Sequence, residues 1–162
     1  VANVKYDTSG SAYLTKIIDT LLNQFPGWGD EEVVFSFVEE ESGVGWFPVS
    51  GAIIESEKKT ICGEVKQKCQ YPFFVLYRMG KSSESTRISV KEKLDMLGAW
   101  LEQQEVIITG EKYRLKCYPD TGDRKIKSIR RTTPAYNSQT YDNGIYDWVV
   151  YITVQYENNY FE

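Results

Sequence analysis

Two runs of carboxylates, Asp30-Glu31-Glu32 and Glu39-Glu40-Glu41, flank the apolar stretch Val33-Val34-Phe35-Ser36-Phe37-Val38. Paired carboxylates cleave glycosidic bonds, one side chain giving a proton while the other stays ionised. That chemistry needs two acids facing each other across a cleft, which proximity along a chain does not supply. At the ends of a buried strand the same residues are solvated, or form an acidic rim at an interface or channel. The opposite charge is concentrated in Arg124, Lys125, Lys127, Arg130 and Arg131, a basic patch with no acid among its residues. It reads as a solvated strand face, as a contact for phosphates, or as a contact for a carboxylate-rich partner. Head-to-tail packing of identical copies would bring the acidic and basic segments together.

Other reactive groups are scarce. The chain contains no histidine, which removes serine–histidine and cysteine–histidine nucleophile pairs, imidazole proton shuttles and the commonest zinc ligand. Cys62, Cys69 and Cys117 are an odd set at no metal-like spacing and read as buried or inert thiols. A Cys62–Cys69 disulfide is open to the chain only outside a reducing compartment. Gly80-Lys81-Ser82 resembles the end of a phosphate-binding loop, but Val75 stands where that motif needs its first glycine. Gly43-Val44-Gly45 lacks the third glycine of a dinucleotide fingerprint and follows an acidic run that would repel pyrophosphate. No cofactor or metal is expected.

Aromatic residues are the larger resource. Tyr, Phe and Trp make up 14% of the chain, and Trp46, Phe47, Tyr136, Tyr141, Tyr146, Tyr160 and Phe161 fall in segments read as loops or as the chain end. Beside glycine and asparagine such rings suit a partner surface, burying large area at a small cost in side-chain entropy.

The elements that must carry these residues follow from periodicity. Leu14, Ile17, Ile18, Leu21, Leu22 and Phe25 recur on one helix face, predicting a helix over about 11 to 24 that Pro26-Gly27 stops. Val33 to Val38 reads as a buried strand and 42–70 as an extended loop or hairpin arm. Pro72 to Met79 is apolar on both faces, as a central strand is. Ser89 and Glu92 match a capping box that would open a second helix, with Val90, Leu94, Leu97 and Leu101 as its buried stripe. Tyr113 to Tyr118 and Lys125 to Thr132 read as a hairpin through the turn formers of 119–123. The clearest strand is Trp148 to Tyr156, whose even-numbered residues form one apolar face.

Together these elements predict a single α+β domain over 1–162, with a mostly antiparallel sheet of four to five strands packed against two helices. The 162 residues, 41% apolar and 26% charged, suit one soluble globular core. A net charge of −4 gives no global attraction to nucleic acid or anionic membranes. With no membrane-spanning run and no secretory signal at Val1-Ala2-Asn3-Val4-Lys5, the chain is expected to be cytosolic when made.

This element order, with Pro72-Phe73-Phe74-Val75-Leu76-Tyr77-Arg78, the helix Val90 to Leu101 and the closing Asp147 to Tyr156, resembles the minor capsid or tail terminator proteins of tailed bacteriophages and related tail-like particles. The similarity spans about residues 11 to 160. The resemblance implies a non-enzymatic virion subunit, made in the host cytoplasm, that forms a ring, commonly of six copies. Such a ring caps the tail tube at the head–tail junction and offers its other face to the head connector. Packaged DNA passes through it without sequence-specific contact, and Asp30 to Glu32 and Glu39 to Glu41 are candidates for its lumen because carboxylates repel phosphate. The rivals are a head-completion or connector adaptor of the same junction, a module gripping carbohydrate or peptide with Trp46, Phe47, Tyr136 and Tyr141, and a carboxylate-dependent hydrolase.

Overall fold

The computed structural model describes residues 5–80, 83–119, 122 and 124–162. Helix α1 (Thr8–Asn23) starts earlier than periodicity predicts because the Asp7 carboxylate accepts the Gly10 amide and caps it. A short 3-10 turn, Pro26–Trp28, follows, and then β2 (Val33–Phe35), which runs parallel to β3 (Gly43–Pro48); the buried strand expected over 33–38 is thus three residues long at the sheet margin, with Val33 buried and Val34, Phe35 and Phe37 exposed. Strand β1 is the pair Lys5–Tyr6, bonded to β4 (Ile53–Lys59).

The sheet is organised by two long strands, β5 (Glu64–Met79) and β10 (Tyr146–Phe161), which pair antiparallel over their whole length. At about 3.3 Å per residue, sixteen residues make a ribbon roughly 50 Å long. Strands β3 and β4 line the β5 side; β8 (Arg124–Arg131) and β9 (Tyr136–Thr140) line the β10 side. All these pairings are antiparallel except β2 with β3, so the α+β class and the antiparallel sheet hold, with eight strands in the sheet. The extra strands come from three places, the first being β1 at Lys5–Tyr6. The 42–70 segment is β3 plus the β4–β5 hairpin, turning at Gly63 with φ of 88°, and the region of Tyr136 is β9 instead of a loop.

Two expectations about 83–132 are corrected. Helix α2 (Glu84–Leu101) opens at Ser83, whose hydroxyl accepts the Thr86 amide, so Ser89 lies inside the helix and no capping box forms there. The stripe of Val90, Leu94, Leu97 and Leu101 is buried as its spacing requires. Tyr113 belongs to β7 (Glu111–Tyr113), folded onto β6 (Val106–Ile108) through Thr109-Gly110, both at positive φ. The predicted hairpin of 113–118 with 125–132 is therefore absent, and β8 pairs with β10 instead. Of its turn formers, Asp120, Thr121 and Asp123 lie outside the described residues, as do Lys81 and Ser82.

Both helices lie on one face of the ribbon. Leu14, Ile18, Leu21 and Leu22 from α1 and Leu94, Leu97 and Leu101 from α2 form one core with Tyr71, Phe73 and Val75 of β5 and Val150, Ile152, Val154 and Tyr156 of β10. Alternation sends the other half of each strand to the opposite face, which no helix covers among the described residues. Among the described residues no helix is long and apolar enough to cross a membrane.

Candidate interaction surface

The uncovered face can be read rung by rung from the β5–β10 register. Arg78 lies beside Asp147, Leu76 beside Val149, Phe74 beside Tyr151, Pro72 beside Thr153, Gln70 beside Gln155 and Lys68 beside Glu157. At one end stand a guanidinium and a carboxylate, in the middle an apolar zone, and toward the other end polar and cationic groups.

The apolar zone is a row of four rings across four adjacent strands. Phe47 of β3 stacks on Phe74 of β5 with centroids 5.2 Å apart and planes 16° apart. Phe74 meets Tyr151 of β10 at 5.2 Å, and Tyr151 stacks on Tyr136 of β9 at 6.4 Å and 12°. Parallel rings 5.2 Å apart cannot lie side by side in one plane without colliding, so Phe47 and Phe74 spend faces on each other and turn edges outward. Phe47, Phe74 and Tyr151 are half-buried and Tyr136 is exposed.

Not all the predicted surface aromatics belong to this row. Trp46 is 0% exposed: β3 alternation turns it to the helix side, where its ring packs on Phe73 and its Nε1 donates to Asp19. Trp46 is therefore a core residue. Tyr141 donates to Asp147 Oδ2 at 2.8 Å, an engagement that raises its phenol pKa, and the Arg78 guanidinium lies over its ring. Tyr146 carries Arg87 over its ring. Tyr160 and Phe161 are exposed at the far end of β10, away from the row.

The basic patch divides. Arg124 is withdrawn into a bidentate pair with Asp7 (2.7 and 2.8 Å), and Arg131 donates to Glu102 at 2.7 Å and to the Asp95 carbonyl. Both are structural cations on the helix side and are corrected out of the surface. Lys127 reaches Glu157 at 3.5 Å. Lys125 and Arg130 are exposed, opposite Glu157 and Thr153 of β10, and have no ion pair among the described residues. Arg130 thus stands one rung beyond the aromatic row on the open face.

The acids gather at the other end of the sheet. Glu31 and Glu32 line a depression of about 450 Å³ with Ser42, Gly43, Arg78 and Gly80, and Arg78 Nη1 donates to the Glu39 carbonyl. Asp30, Glu31, Glu32, Glu39, Glu40 and Glu41 are all exposed. Glu31 accepts the Tyr77 hydroxyl at 2.6 Å and lies 3.6 Å from Lys93. Burial, reinforced by Glu31, holds the Tyr77 phenol above its ordinary pKa, so it stays a donor. Among the described residues no group of three or more His, Cys, Asp or Glu side chains is arranged to hold a metal.

Of the thiols expected to be buried or inert, Cys69 is buried, which pushes its thiol up to about 11, while Cys62 and Cys117 are exposed. All three are free.

Sequence reasoning missed Phe74 and Tyr151, the two central rings. The signal was present in the apolar character of both faces of 72–79. Only two helices were predicted, too few to cover both.

No protein-family model matches the chain, and no curated protein matches it. A solved structure aligned over 93% of this chain and 94% of its own is 17% identical with a TM-score of 0.33, a likeness that bears on neither fold nor function.

Proposed function

We propose that this chain is a structural subunit of a phage tail or tail-like particle, a terminator that forms a ring on the tail tube at the head–tail junction. The observation that carries the reading is the open sheet face, with an aromatic row at its centre, acids gathered beyond one end and exposed cations beyond the other. A ring of identical copies requires two different, complementary patches on each subunit. The resemblance of strand and helix order supplies the kind of assembly. In such a ring the gathered carboxylates serve either the bore, where they repel DNA, or the seam between copies.

The carbohydrate-binding alternative loses support from the same geometry. Trp46 is buried and Tyr141 is engaged by Asp147 and Arg78, while Phe47 and Phe74 turn faces to each other instead of outward toward a sugar.

Electron microscopy of particles assembled without this chain tests the proposal. Tubes of uncontrolled length are the expected result. Tubes of normal length that fail to join heads would make the chain a connector adaptor, and normal infectious particles would overturn both assignments.

A further inference from the structure

We propose that the open face receives a second copy of this chain, which inserts the acid-flanked segment Val34–Phe37 of its sheet margin onto the aromatic row and its neighbouring cations. The inference rests on the ring-subunit reading and names the seam of that ring.

Sheet edges are the obvious alternative for joining copies; β9, bonded only to β10, keeps an outer edge, but it is five residues long and polar after Tyr136, and the other edges are guarded. Asn23 occupies both outward groups of Val33, donating to its carbonyl and accepting its amide, which leaves β2 little edge to pair. Strand β8 is charged along its length and has its Ile129 amide taken by the Tyr118 hydroxyl. Strand β4 is partly covered by β1. The open face is left as a contact surface, and ring edges, Leu76 and Pro72 suit apolar side chains better than planar bases or sugars.

The occupant follows from charge. Ile88 and Ile61 are also exposed apolar residues, but Arg87 and Lys91 flank the first on α2 and Lys58 and Lys59 precede the second, so both would meet Arg130 and Lys125 with like charge, while Ile107 and Phe161, also exposed, have no run of three carboxylates beside them. Val34, Phe35 and Phe37 are 42%, 44% and 54% exposed and have three carboxylates on either side. The apolar centre of this segment suits the aromatic row, and its carboxylates complement Arg130 and Lys125, the exposed cations beyond one end of that row.

The segment is also held in place for docking. Ser36 adopts a left-handed φ of 53° with its amide bonded to the Trp46 carbonyl. Gly45 leaves room, where any Cβ would collide, for the Phe37 carbonyl and Val38 to lie against β3. A fixed segment loses little entropy on docking. Because the inserted and receiving surfaces differ, the contact is heterologous and propagates head to tail until a ring closes. The carboxylates of 30–32 and 39–41 then lie at the seam.

The test uses exposed residues, so that folding is preserved. Phe37→Ser breaks the inserted segment; Tyr136→Ser with Arg130→Glu breaks the receiving face. Light scattering of the parent chain over rising concentration should show oligomers larger than two. Each variant alone should associate at least about tenfold more weakly, the effect of losing one anchoring contact. An equimolar mixture of the two variants should yield heterodimers and stop there, since one intact insertion and one intact face remain. A parent chain that stays monomeric, or stops at a two-fold dimer, overturns the proposal, as do variants that assemble like the parent. Tail length separates this claim from the function beneath it. Normal tails with unaffected oligomers remove the seam and leave the terminator reading in place; particles indifferent to the whole chain remove both.

Discussion

The molecule contains the same three-residue device twice, on opposite faces and toward opposite ends of its ribbon. On the helix side Asp7 accepts two bonds from Arg124 and one from the Tyr156 hydroxyl at 2.8 Å. On the open side Asp147 accepts two from Arg78 and one from the Tyr141 hydroxyl at 2.8 Å. Both carboxylates are buried. What differs is what each ties together. Asp7 joins the helix α1 start to β8 and β10, residues more than a hundred positions away, and caps α1 as well. Asp147 joins its own strand to its cross-strand partner on β5 and to a turn six residues earlier, with Arg78 reaching onward to the Glu39 carbonyl. The same chemistry thus closes the fold at one end and braces the edge of a contact surface at the other.

Removing the carboxylates should separate the two roles. Asp7→Ala leaves the half-buried Arg124 with no other acceptor among the described residues and strips the α1 cap, so a loss of about 3 kcal/mol is expected in urea unfolding. Burial acts most strongly on the Asp7 carboxyl and pushes it upward, but the bonds from Arg124, Tyr156 and the Gly10 amide outweigh it and hold the group below its usual 3.8. Its stabilisation is therefore complete above the range where a free carboxyl titrates and is lost as pH falls through the lower folded-state value. The parent should lose stability on acidification below about pH 4 more steeply than Asp7→Ala does, as read from urea midpoints across pH.

Asp147→Ala should cost less, about 1–3 kcal/mol, because Arg78 keeps the Tyr141 hydroxyl and the Glu39 carbonyl as acceptors. Its larger effect should fall on self-association, measured by light scattering, since Arg78 loses the two bonds that hold its guanidinium in place and grips the Glu39 carbonyl from a less fixed position. The phenols give the finest comparison. Tyr156→Phe removes a buried bond to a charged group and should lower stability by about 1.5–3 kcal/mol, against about 0.5–1.5 for Tyr141→Phe in the same assay. Equal losses in the two variants would erase the distinction between closing and bracing.

Local periodicity made both helices, the central strand and the final strand legible, because Leu14 to Leu22 and Trp148 to Tyr156 each repeat at the period of the element they form. Helix starts were less legible: Asp7 and Ser83 won over later candidates by side-chain bonds that a spacing rule does not rank. Trp46 looked exposed because glycines surround it, whereas pairing with β5 fixes its direction. The aromatic row escaped notice because its four rings come from four strands and meet only through register. The split in the basic patch was equally hidden, since the acids that claim Arg124 and Arg131 lie far from them in the chain.

Strand β10 sits between β5 on one side and β8 and β9 on the other, yet follows all three in the chain. During synthesis the sheet's middle is therefore vacant while its neighbours are already made, and β5 waits with one ladder of amides and carbonyls unpaired. Folding must then thread contacts between residues as distant as Glu64 and Phe161, a high-contact-order step that is slow and prone to capture by another chain's strand. Refolding of dilute chain should therefore recover more native protein than refolding at high concentration, as read from the soluble fraction.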